Sequence, residues 1–118
     1  MPLAPAGEII ALNALLTGSY VALHTAAPSG ANEVTGGAYA RQAFVFDLAG
    51  ADPTVAQNTG TLEFPTATAG WGTITHVGIW SASVGGSLLA YEALAASKTI
   101  NTDDVFRFLD EQLKVTAN

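Results

Sequence analysis

The sequence predicts an all-β fold: an antiparallel β-sandwich or small β-barrel, jelly-roll or immunoglobulin-like, with one short N-terminal helix. Three observations carry that expectation. The hydrophobic period changes from about 3.6 residues before Gly18 to about two after Tyr20. Beyond Tyr20 the apolar and β-branched runs are short, and Gly, Pro and Asn separate them. At 118 residues and 49% hydrophobic content the chain suits one core. The expected layout is an extended N-terminal arm at 1–6 and a single β-sandwich domain at 7–118.

Pro2 and Pro5 hold the arm extended. Glu8 to Leu16 is the helix. Ile9, Leu12 and Leu16 fall on one face, Glu8 suits the positive end of the helix dipole, and Gly18 is placed to end it. Tyr20 to Thr25 is a strand, stopped by Pro28, Ser29 and Gly30, with a loop over Ala31 to Gly37. Tyr39 to Leu48 alternates, with Phe44, Phe46 and Leu48 on one face and Arg41 and Asp47 on the other. Thr54 to Gln57 and Thr61 to Phe64 form a hairpin around Asn58-Thr59-Gly60.

Thr73 to Ser81 is apolar on both faces, which predicts a central strand. Gly85-Gly86 turns the chain into a strand over Ser87 to Leu94, and Lys98 to Asn101 is a further short one. Val105 to Leu109 and Leu113 to Thr116 complete the set of about seven or eight strands. Phe44, Phe46, Ile79, Leu89, Phe106 and Phe108 are the expected core contributors.

Composition removes several functions. Four Lys+Arg stand against ten Asp+Glu, a net charge of -6. Phosphate neutralisation needs cations, so neither nucleic acid nor an anionic membrane is an expected partner. The chain has no Cys, so disulfides, thiolate metal sites and Cys nucleophiles are excluded. No apolar run reaches the ~18 residues of a membrane span. The N-terminus has no basic n-region, so no secretory signal is expected.

The inventory of reactive groups is thin. His24 and His76 lie outside any metal-ligand spacing, and a structural role is expected for both. Ser81, His76 and Asp47 could be assembled into a triad, but no G-x-S-x-G elbow supports one. Asp103-Asp104 and Asp110-Glu111 offer oxygen ligands without the calcium-loop spacing, so solvated turns are expected there. No phosphate loop or dinucleotide fingerprint occurs. The expectation is a non-enzyme without catalytic residues, metal or cofactor. Trp71, between Gly70 and Gly72, has two readings: a surface aromatic for a partner or sugar, or a core Trp whose loop needs glycine. Pro2, Leu3, Ala4 and Pro5 form an apolar arm suited to contacting a partner.

Several stretches together resemble a family of small structural proteins from tailed bacteriophages. They are Tyr20 to Pro28, Asn32-Glu33-Val34, Tyr39 to Ala43, Phe64-Pro65, Trp71 to Trp80 and Gly85 to Leu89. Leu94 to Ile100, Phe106 and Leu113-Lys114-Val115 continue the pattern, so the resemblance spans Leu12 to Thr116. The chain departs from it where Asp110-Glu111 replaces a glycine before the last strand, and in its short helix. The family pattern transfers no catalytic residue. The resemblance implies a virion part: a capsid cement or decoration subunit bridging copies of the major capsid protein at the capsid surface. The alternative is a tail or tail-fibre component that meets tail proteins or a host glycan. A homo-oligomer is implied with either, and a trimer is the expected size.

Overall fold

A computed structural model describes residues 5–28, 32–49, 54–110 and 112–117. Helix α1 spans Pro5–Leu16 and is followed, among the described residues, by nine strands. They are β1 Tyr20–His24, β2 Gln42–Ala43, β3 Phe46–Ala49, β4 Thr54–Asn58 and β5 Leu62–Glu63, then β6 Gly72–Trp80, β7 Leu88–Ile100, β8 Arg107–Phe108 and β9 Lys114–Ala117. Strands account for 44% of the described residues, and all pairings among them are antiparallel, in keeping with the expected sandwich-like all-β fold. One sheet runs β2-β1-β6-β7, a second β3-β4-β9, and β5 and β8 make a short ribbon.

The helix starts three residues before the expected Glu8. Pro5 and Ala6 are therefore helical and not part of an extended arm. Proline is tolerated there because the first helical turn leaves its N–H groups unpaired anyway. Leu12 and Leu16 are buried, and the helix packs against β4. It ends at Gly18, which has φ +75°.

The alternating run from Tyr39 to Leu48 is not one strand. Its first part, β2, pairs with β1, and its second part, β3, pairs with β4. The chain changes sheet at Phe44-Val45, and Phe44 enters the core there beside Phe46, ring centroids 5.2 Å apart. The expected hairpin at 54–64 is also absent, because β4 and β5 belong to different sheets. Asn58 causes the divergence. Its side chain is buried, donates to the carbonyls of Gly60 and Leu109, and accepts from the Leu113 N–H. Those bonds tie the turn to the 109–113 segment instead of to a returning strand.

The central position expected for 73–81 is occupied by β6, which lies between β1 and β7. The two strands expected at 87–94 and 98–101 are one strand, β7, carrying a bulge. Ile74 pairs with Lys98 but His76 pairs with Ala93, so residues 94–97 stand opposite Thr75 alone.

Phe44, Ile79, Phe106 and Phe108 are buried, and Phe46 and Leu89 pack against the core from its margin. Phe64 sits at the centre, stacked on Tyr39 and edge-on to Phe106.

Candidate functional site

The best-organised polar cluster lies where the segment 32–41 crosses the end of the β1–β6 pair. The Arg41 guanidinium grips Glu33 with both arms, Nε to Oε2 and Nη2 to Oε1, each at 2.8 Å. Its Nη1 donates to the carbonyls of Ala82 and Gly85 at 2.8 and 2.7 Å, closing the β6–β7 turn. Its plane covers the Trp80 ring at 4.5 Å. Tyr39 donates its hydroxyl to Glu33 at 2.6 Å and accepts from the Leu23 N–H.

Beneath Trp80 lies His24, fully buried. An indole N–H only donates, so the Trp80 contact at 3.2 Å makes His24 Nε2 an acceptor. The proton then resides on Nδ1, which donates to Asn32 Oδ1 at 2.9 Å. Gly78 provides the room. A Cβ there would lie 2.9 Å from His24 Nε2 and 3.1 Å from Trp80 Nε1, so no larger residue leaves the pair undisturbed.

Burial pushes the His24 imidazole below its ordinary value of 6.5, and the Arg41 and His76 charges push the same way. The Asn32 bond and the Glu33 charge only partly oppose this. Burial alone would raise Glu33, but the hydrogen bonds from Arg41 and Tyr39 outweigh it and hold the carboxyl below 4.5. Arg41 is raised, chiefly by its bond to Glu33. Burial and the Glu33 contact raise Tyr39 as well.

Both lowered groups make the fold acid-labile. Between the folded and unfolded values of His24 the unfolded chain binds more protons, so its contribution is complete above about 6.5 and is lost as pH falls below. Glu33 contributes above 4.5 and loses its share as pH falls through its depressed value. Thermal melts should therefore show Tm falling steadily from pH 7 downward. His24→Gln should flatten the part of that slope nearest neutrality, and an unchanged slope in this variant would contradict the assignment.

The residues expected at a partner surface are placed differently. Pro2, Leu3 and Ala4 lie outside the described residues, and Pro5 opens the helix. Trp71 is 5% exposed. Its indole donates to the Gly37 carbonyl at 2.9 Å and its ring meets Tyr39 edge-on. Gly37, at φ +59°, admits it: a Cβ there would stand 2.8 Å from the indole nitrogen. Of the two readings of Trp71, the structure gives the core one, and the surface-aromatic reading is corrected by its burial.

Ser81, His76 and Asp47 are engaged separately. Ser81 Oγ accepts from the Ser87 N–H and His76 Nδ1 meets Thr75 Oγ1, while Asp47 lies exposed on β3. Asp103 and Asp104 lie at a turn, as expected, and Asp110 is exposed. Asp104 accepts from the Asn101 N–H and Asp110 from the Gly60 N–H, while Glu111 lies outside the described residues. No group of three or more metal-ligating side chains occurs among the described residues.

Sequence reasoning placed Arg41 on a strand face and missed its pairing with Glu33. The available signal was an Arg in a chain of few cations, eight residues after a Glu across a Gly-Gly turn.

The fold and its polar cluster define a class: a small antiparallel β domain whose organised charges are spent on internal bracing. The chain matches the family described as Podophage GP4 fiber I protein gp80 over residues 11–116, and it belongs to that family. It is thus a structural protein of tailed-phage virions. A comparison with curated proteins finds no match.

Proposed function

We propose that this chain is a non-enzymatic structural subunit of a phage tail fibre, located at the tail of the virion. The family match over residues 11–116 carries the reading, because it is to a fibre protein and spans nearly the whole domain. It favours the tail over the capsid-cement role implied by the sequence resemblance, for which no further support arises. The polar cluster supports a structural task. Four of the five Arg41 N–H groups are used inside the chain, leaving little of the guanidinium for a ligand. The partners on this reading are tail proteins and further copies of the chain. A glycan contact through Trp71 does not form part of it, since that ring is buried.

Antibody labelling of purified particles viewed by electron microscopy tests the reading. Label at the tail fibres is the expected result. Label distributed over the head shell would overturn it and restore the cement role.

A further inference from the structure

We propose that the β7–β9 flank of this domain binds the β2–β3 flank of a second copy, head to tail. The two flanks differ in kind. On the first, a cleft of about 330 Å³ opens between β7 and β9 over Val77, Ile79 and Leu113, with Lys114 at its wall. It runs into a second cleft of about 430 Å³ toward β8, which shares Val77, Glu92 and Leu113 and adds Lys98 and Arg107. Three of the four cationic residues of the chain thus line one continuous groove, with Glu92 as the one carboxylate among its described lining residues. The rest of the chain is left with Arg41, already paired, and nine carboxylates.

The groove cations are available. Arg107 touches Glu63 only at 3.4 Å, with both side chains about half exposed. Lys98 leans over the Phe106 ring at 5.9 Å, and Lys114 is exposed. Neither β7 nor β9 has a second strand neighbour among the described residues.

The opposite flank is complementary. β2 and β3 are the far edge strands of the same two sheets. At period two, Val45 and Asp47 share the outward face, while Phe46 and Leu48 turn toward the core. Val45 is 61% exposed, an apolar side chain beside an exposed carboxylate. Such a pair suits an apolar cleft walled by cations.

Charge decides the symmetry. A two-fold contact would place the groove of one copy against the groove of the other, cations facing cations. A heterologous contact places cations against the exposed Asp47 carboxylate, and such contacts generate rings or open filaments. The bulge at 94–97 keeps β7 from being a flat template, so side-chain charge, not open-ended strand pairing, selects the partner edge.

The experiment is sedimentation velocity of the purified full chain over concentration and salt series, and it does not depend on where the protein sits in the virion. Wild type should self-associate, more weakly as salt rises. Asp47→Lys and Lys114→Glu should each weaken association about tenfold or more. Mixing the two variants should restore it, because each keeps the flank that the other has lost. Circular dichroism verifies folding, and Lys98→Glu or Arg107→Glu replaces Lys114→Glu if that variant unfolds. A monomer at all concentrations, association indifferent to the reversals, or no recovery on mixing would overturn the proposal.

Discussion

Phe64→Ala should lower the stability of the domain by about 3–5 kcal/mol. The ring is 1% exposed and is the largest fully buried side chain among the described residues. It stacks parallel on Tyr39 at 6.1 Å and meets Phe106 edge-on at 6.0 Å. Its backbone N–H bonds to the Phe106 carbonyl, so the chain at this point is held in place and cannot easily collapse into a void. The cost is then the lost transfer free energy plus most of the cavity. Urea unfolding should show a lower midpoint with an unchanged slope. Phe64→Leu should recover much of the loss. An unshifted midpoint in Phe64→Ala would mean that the ring is not at the centre of the core.

Arg41→Ala should cost a similar amount, about 3–5 kcal/mol, for a different reason. The side chain is 7% exposed and Glu33 16%. Removing the guanidinium leaves the Glu33 carboxylate largely buried with only Tyr39 as a side-chain donor, frees two carbonyls of the β6–β7 turn, and uncovers Trp80. Arg41→Lys keeps the charge but not the fork, so it should recover only part of the loss. Glu33→Gln should also be costly, because it leaves the buried guanidinium without its counter-charge. The double variant should be markedly less destabilised than the two losses added together. Strict additivity in that cycle would show that the pair is not coupled.

Much of the fold was legible in the residues. The change of period at Gly18–Tyr20 marks the end of α1 and the start of β1. The doubly apolar run at 73–81 marks the central strand, because only a strand covered on both sides needs apolar residues on both faces. The alternating aromatics at Phe44, Phe106 and Phe108 locate the core for the same reason. The polar cluster was less legible. His24 is assigned a structural role by its lack of metal-ligand spacing, and it has one, but its partners are Trp80, 56 positions away, and Asn32. No local pattern encodes such a pairing.

By itself the sequence determined the class of fold, the kinds of residue that fill the core, and the family, because those depend on periodicity, composition and an ordered series of short motifs. Tertiary structure decided which strands pair, where Trp71 lies, and what Arg41 holds. The run at 39–48 has one unbroken alternation but serves two sheets, and Asn58 diverts what looks like a hairpin through bonds to residues more than fifty positions later. Trp71 between two glycines is equally compatible with surface or core until Gly37, from a distant loop, offers it a carbonyl and the missing space of a side chain. The grouping of Lys98, Arg107 and Lys114 on one flank likewise arises only when β7, β8 and β9 are brought together. Periodicity reports which way a residue faces, whereas pairing between distant segments is set by packing and by the need of each buried polar group for a partner.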